Sequence, residues 1–233
     1  MTAEEKSLSY EYIEIPISVQ IRLAKNEGRE LEKPAYYLKD VNPAGEVPAI
    51  TLDGKAPIVE SEICSEFLDD NFAGTRLMPE DPFERARARL AMKRFSSVIP
   101  SFYQFLSNQN PEEDEAKSQK IRQGVEKFVD QMDAEGPYFF GSRFTLVDIF
   151  AAPFFDRFRL MLPFYRSFAL IPEEGSEGDT HWGPRLRQWM GAIDSRPAFQ
   201  KTKGDYQLYL RIYESYANNH KEEGGRGRSE FGK

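Results

Sequence analysis

The stretch Asn42-Pro43-Ala44-Gly45-Glu46-Val47-Pro48-Ala49-Ile50 (NPAGEVPAI, residues 42–50) decides how this chain is read. Pro48 has no N–H to give to a β-ladder, so it belongs at a strand's first residue or at a sheet edge. It follows the turn-forming run Asn42 to Gly45 and precedes Ala49-Ile50-Thr51-Leu52. Asp53-Gly54-Lys55 comes next, and then Ala56-Pro57-Ile58-Val59. Two short apolar runs around Asp-Gly predict a β-hairpin, with Pro48 opening its first strand.

Outward from the hairpin, the chain divides in texture. Upstream, Tyr10-Glu11-Tyr12-Ile13-Glu14-Ile15-Pro16 alternates apolar and acidic residues and reads as a strand. Ser18 to Gly28 is charged and open to either reading. Lys33 to Val41 predicts a short helix that ends before Asn42-Pro43. Downstream, Ser61 to Phe72 carries Ile63, Cys64, Phe67 and Leu68 at helical spacing, with Ser61 as the expected N-cap.

After Gly74 the chain reads as helices alone. A basic helix is expected from Met78-Pro79 through Leu106, and a second from Asn110 to Gly136. A strongly apolar third covers Phe144 to Phe158, a fourth runs Arg185 to Arg196 and stops at Pro197, and a fifth covers Asp205 to Asn218. Thr145-Leu146-Val147-Asp148 is a capping box, with Phe144 and Ile149 as its hydrophobic staple. Pro172 to Gly183 reads as a polar surface loop. The expected domains are 1–74, 79–218 and a disordered tail, 219–233.

The 233 residues carry a net charge of −7, which argues against nucleic acid as a partner. No apolar run approaches the roughly 20 residues that span a bilayer. The single cysteine, Cys64, excludes an internal disulfide, and it sits mid-helix where packing is its usual role. Two histidines, His181 and His220, are too few for most metal sites. A cytoplasmic protein fits these counts.

The blocks KPAYYLKDVNPAGEVPAI, ESEICSEFLDD and GPYFFGSRFTLVDIFAAPFFDRF resemble, in order and spacing, a cytosolic glutathione S-transferase, most closely the omega-type and related fungal members. The resemblance spans residues 2 to 210. It implies an α/β thioredoxin-like N-terminal unit followed by an all-α C-terminal domain. It also implies a cis Val47–Pro48 bond that exposes the Val47 backbone to an extended peptide, which is glutathione, acting as co-substrate. Ser61, at the start of its helix, would meet the γ-glutamyl carboxylate; Glu60 would take the α-amino group, and Lys33 would face the glycyl carboxylate. Phe95, Ile99 and Tyr103, at i, i+4 and i+8, form an expected wall for a hydrophobic electrophile, with ordinary core packing as the competing account. A homodimer is implied as well.

In the same resemblance, TAEEKSLSYEYIEI matches the end of the family's first helix and its second strand. The first strand and the catalytic loop, which carries a Tyr, Ser or Cys, are then expected upstream of Met1, and the catalytic residue is unassigned. A second frame puts Tyr10 to Pro16 in the central strand, Ser18 in the catalytic loop and Val19 to Glu27 in the first helix. Two functions follow. One is a transferase moving glutathione to or from an electrophilic small molecule. The other is a non-catalytic glutathione-binding or assembly module on the same fold.

Overall fold

The computed structural model describes residues 1–171, 173–176, 179–220 and 225–226. It separates into two compact units, Thr2–Arg76 and a second made of Met1 and the chain from Leu77 onward. Pro172, Glu177 and Gly178 of the expected surface loop lie outside the described residues, as do 221–224 and 227–233 of the expected tail. Within that tail Arg226 is described, and its Nη2 lies 2.6 Å from Asp114 Oδ2.

The first unit contains α1 (Thr2–Glu5), α2 (Ser18–Asn26), a π-helical turn (Tyr37–Val41), β1 (Ala49–Ile50), β2 (Ile58–Val59) and α3 (Ser61–Asn71). The hairpin forms as the sequence predicts. β1 and β2 are antiparallel, with Ala49 opposite Val59 and Ile50 opposite Ile58. Asp53 and Gly54 both have positive φ, 47° and 70°, and Lys55 N–H donates to the Leu52 carbonyl at 2.9 Å. Two consecutive left-handed residues give the tight turn whose twist suits a hairpin, and glycine meets the second without steric cost.

Tyr10 to Pro16 corrects the sequence reading, because these residues join no ladder. Tyr12 is 77% exposed and Ile13 is 56% exposed. Alternating pattern makes a segment competent for a strand, but a strand exists only against a hydrogen-bonded neighbour. Ser18 to Asn26 resolves as helix, with Gln20 Oε1 accepting from Ile17 N–H at 2.9 Å and Val19 and Ala24 buried beneath it.

The core of this unit is thin. Its buried apolar residues are Val19, Ala24, Tyr37 and Cys64. A buried ion pair compensates: Lys6 Nζ lies 3.1 Å from Asp69 Oδ1, with both side chains wholly inaccessible. The same ammonium reaches the Thr75 carbonyl at 3.2 Å. The pair ties the segment after α1 to the C-terminal half of α3. Removing one partner from such a pair typically costs about 3–5 kcal/mol, since the other charge is left buried.

The second unit is helical: α4 (Pro82–Ser96), α5 (Val98–Leu106), a 3₁₀ turn (Pro111–Glu113), α6 (Asp114–Val129), α7 (Leu146–Arg166), α8 (Gly183–Asp194), α9 (Pro197–Thr202) and α10 (Tyr206–Ala217). The single helix expected through Leu106 is two. Pro100 cannot donate to the Ser96 carbonyl, and the break at Ser97 follows. Ser96 and Ser97 hydroxyls donate to the Lys93 and Arg94 carbonyls, at 2.7 and 2.6 Å. Pro197 ends one helix, as expected, and also opens α9 as its first residue.

An aromatic cluster fills this unit. The Phe95 ring is inaccessible, with Phe128 at 4.7 Å and Phe155 at 5.3 Å between centroids, and Phe150, Phe154 and Phe158 within 6.3 Å. Phe95 is therefore core, and the reading of it as a substrate wall gives way to packing.

Two polar junctions fix the helix ends. Asp148 is buried at the start of α7 and accepts four hydrogen bonds. Phe139 N–H (2.8 Å) and Trp189 Nε1 (2.7 Å) reach Oδ1; Thr145 N–H (2.8 Å) and Oγ1 (3.1 Å) reach Oδ2. Burial pushes its carboxyl above the ordinary aspartate range, while these donors pull the other way. Arg166, the last residue of α7, sits where three helices end. It donates to the carbonyls of Phe105 and Leu106 at the end of α5 and of Ala217 at the end of α10. Burial lowers the guanidinium to about 10, so it remains a cation at neutral pH, facing the negative ends of three helix dipoles.

Asp148→Ala strands four buried donors, each worth about 1–3 kcal/mol when left without an acceptor. We expect the variant to lose about 3 kcal/mol or more in chemical denaturation, and a loss below about 1 kcal/mol would contradict the junction's role.

Candidate functional site

The site expected from the sequence lies within the first unit, at the loop leading into β1 and at the start of α3. The loop is built by residues that sequence reading passed over. Asn42 is buried; its Oδ1 accepts from Ala44 N–H at 3.1 Å and its Nδ2 donates to the Glu46 carbonyl at 2.9 Å. Tyr37 Oη donates to that same carbonyl at 2.5 Å. Asn42 N–H closes the π-helical turn on the Tyr37 carbonyl at 2.8 Å. A short polar side chain that bonds the backbone two residues on is the Asx-turn device. The signal available in the sequence was Asn42 followed by proline and glycine, with Tyr37 one helical turn earlier.

Gly45 lets this loop close. It has φ +71°, and a Cβ there would meet Leu38 Cδ2 at 3.1 Å and the Lys33 stem at 3.4 Å. Lys33 therefore lies along the loop, half-buried, and its Nζ donates to the Pro16 carbonyl at 2.8 Å.

Beyond the anchored Glu46 carbonyl, the Val47–Pro48 bond is cis. Val47 is 42% exposed, and its N–H and C=O have no partner among the described residues. This is an edge at which an extended peptide can add as a strand.

At the start of α3 the structure moves one expectation by a residue. Ser61 is the first residue of the helix rather than its cap. Glu60 holds the N-cap position, and the cap has no side-chain hydrogen bond. Glu60 has φ 70° and ψ 122°, a left-handed backbone that L residues rarely adopt. The first N–H groups of a helix have no intrahelical acceptor, and the Ser61 hydroxyl has no partner among the described residues. A helix start of this kind, with a free hydroxyl beside it, suits a carboxylate.

The other residues singled out from the sequence are placed as follows. Ser18 is exposed at the first residue of α2. Cys64 is buried in α3; its thiol donates to the Ile58 carbonyl at 3.4 Å, and burial pushes it up from its usual range. Ile99 and Tyr103 are half-buried on α5, and Tyr103 Oη lies 3.3 Å from Tyr213 Oη. Among the described residues no group of three or more His, Cys, Asp or Glu could hold a metal ion, and no helix is long and apolar enough to cross a membrane.

A small α/β unit with an exposed backbone edge just before a cis proline, followed by a helical unit with a buried capping aspartate, defines a protein of the transferase type of thioredoxin-like fold. Residues 84–192 match the family model for the glutathione S-transferase C-terminal domain. Mouse (Mus musculus) glutathione S-transferase omega-1 is 27% identical over 184 residues, covering 78% of this chain and 71% of its own length. The crystal structure of glutathione transferase Omega 3C from Trametes versicolor is 29% identical with a TM-score of 0.71, covering 91% of this chain and 82% of that one. Rice GST1, solved in complex with glutathione, shares the fold at a TM-score of 0.74 and 18% identity, covering 94% and 90%. The chain is similar to glutathione S-transferases, and its likeness is to the omega-like members.

Two substitutions test how the site is held. A non-glycine residue in a strained backbone region costs about 1–3 kcal/mol, so Glu60→Gly should raise stability by about 1 kcal/mol. Asn42→Ala removes two backbone contacts and should lower it by about 1–2 kcal/mol. Urea denaturation of both variants checks these signs; a destabilised Glu60→Gly would mean that the backbone there is unstrained.

Proposed function

We propose that this chain binds glutathione in the first unit and transfers it to or from a hydrophobic, electrophilic small molecule. The observation that carries the reading is the pairing of two open features. One is the unpartnered Val47 backbone beside Pro48; the other is the unpartnered Ser61 hydroxyl at the start of α3. The cysteinyl part of the tripeptide pairs with the Val47 N–H and C=O as a short added strand. The γ-glutamyl carboxylate takes the Ser61 hydroxyl and first-turn N–H groups, and Glu60 accepts from the α-amino group. Lys33 has donors left beyond the Pro16 carbonyl for the glycyl carboxylate.

The strain at Glu60 supports the same reading. A side chain kept where the backbone favours glycine has a purpose that glycine could not serve. Tyr37 and Asn42 act as positioning residues, because they fix the carbonyl next to Val47 and so set the angle of its free edge.

The electrophile is proposed to lie against Ile99 and Tyr103 of α5. Ser18 is the one hydroxyl candidate for thiol activation that the sequence offers in its second frame. A homodimer and a cytoplasmic setting complete the proposal; Phe83, 72% exposed on α4, and Leu90, on the same helix, offer apolar surface to a second copy.

One observation favours the alternative, a glutathione-binding or assembly module without turnover. Cys64 is the single thiol in the sequence and is buried with its thiol form favoured, so it offers no thiolate nucleophile.

A ligand that binds only the folded state stabilises it by RT ln(1 + [L]/Kd), about 2.7 kcal/mol at a hundredfold excess over Kd. Millimolar glutathione should raise the melting temperature, and Ser61→Ala should shrink that rise. An unchanged melting temperature in the wild type would remove both readings together. Conjugation of glutathione to a generic electrophile then separates transferase from module, and turnover that survives Ser18→Ala would take Ser18 out of the chemistry.

A further inference from the structure

The helical unit contains a cavity of about 190 Å³ among α7, α9 and α10. Its apolar wall is Met1, Ile149, Pro153 and Phe199, and Ile149 and Phe199 continue into the core. Arg157, Lys203 and Tyr209 form the polar wall. At about 30 Å³ per water, the space equals roughly six waters, which is the bulk of a one-ring organic molecule.

The hydrogen bonds around Tyr209 decide what the cavity prefers. Arg157 Nη2 donates to the phenol oxygen at 3.0 Å, and Gly204 N–H donates to it at 3.1 Å. Arg157 Nη1 is held on the Pro153 carbonyl at 2.5 Å, and the guanidinium lies 4.7 Å from the Tyr209 ring centroid. A phenol oxygen has two lone pairs and one proton. Both lone pairs are engaged, so the O–H can only donate, and it has no acceptor among the described residues. The Lys203 ammonium likewise has no partner among them.

The charges bordering the cavity point the same way. Asp156 also lines it, but its Oδ1 is taken by Arg159 Nε at 3.2 Å and Nη2 at 2.8 Å. Arg157 and Lys203 then leave the wall positive, in a chain whose net charge is −7. A cation would be repelled. A neutral ring would give the half-buried Tyr209 O–H no acceptor and the Lys203 ammonium no counter-charge.

We propose that this cavity is a binding site for a small aromatic carboxylate. The ring packs against Ile149, Pro153 and Phe199, and the carboxylate accepts from the Tyr209 O–H and the Lys203 ammonium. Arg157 is a positioning residue, which orients the phenol by occupying one of its lone pairs. The proposal does not depend on the transferase reading, because every group it uses lies in the helical unit.

Calorimetric titration of the full chain with benzoate, benzyl alcohol and benzylamine, without glutathione, tests it. Benzoate should saturate a single site, benzyl alcohol should bind more weakly, and benzylamine should not bind. Lys203→Gln and Tyr209→Phe should each weaken benzoate by about tenfold, the usual effect of losing one charge-assisted hydrogen bond. Lys203 is exposed, so its variant keeps the test sound even if Tyr209→Phe disturbs α10. The proposal falls if wild type shows no saturable benzoate binding, if Lys203→Gln binds as the wild type does, or if benzylamine binds as well as benzoate. With glutathione left out, failure here and failure of the transferase reading are separate results.

Discussion

A carboxylate shut away from water must find donors, and Asp148 finds four. That constraint organises the helical unit. The two oxygens collect the N–H of Phe139 from the loop before α7, the backbone and hydroxyl of Thr145 at the helix start, and the indole of Trp189 from α8. Each donor would otherwise be buried without a partner, and the four come from three parts of the chain. One residue therefore sets where α7 begins, how the preceding loop returns and which face α8 presents. Around it the rings of Phe128, Phe155 and Trp189 pack within about 6 Å of one another, so the polar junction sits inside the apolar cluster it depends on for exclusion of water.

Arg166 does the equivalent work at the other end of α7. The C-terminal carbonyls of α5 and α10 converge on it, and convergent helix ends without a cation would repel one another. A helix start favours an anion for the same reason that helix ends meeting at Arg166 favour a cation.

The first unit is held differently. With four buried apolar side chains it relies on specific polar bonds: Lys6 to Asp69 in its interior, and Asn42 with Tyr37 on the Glu46 carbonyl. Such a unit keeps its backbone edges available. The Val47 N–H and C=O stay without a partner among the described residues while the Glu46 carbonyl before them is held from behind, and Glu60 keeps a strained backbone between β2 and α3. Rigid support beneath an unsatisfied edge is what a peptide-binding site requires.

The sequence by itself determined what depends on near neighbours. Asp-Gly between two apolar runs fixed the hairpin, because only that turn has the twist and positive φ values the strands need. Thr145 and Asp148, three apart, fixed the start of α7, and Pro197 ended one helix. The cis Val47–Pro48 bond was also legible, through the blocks that surround it. What only the tertiary structure decided was each residue's distant partner. Phe95 has the same helical spacing whether it faces a ligand or five other rings, and packing chose the rings. Tyr10 to Pro16 has a strand's alternation and no ladder, since alternation says which faces differ but not what lies alongside. Ser61 moved from cap to first residue once β2 delivered Glu60 with a left-handed turn. Tyr209 became a donor without an acceptor only when Arg157, 52 residues away, took one of its lone pairs. Local backbone preferences are set within a few residues; burial and pairing depend on atoms the chain brings together only when it is folded.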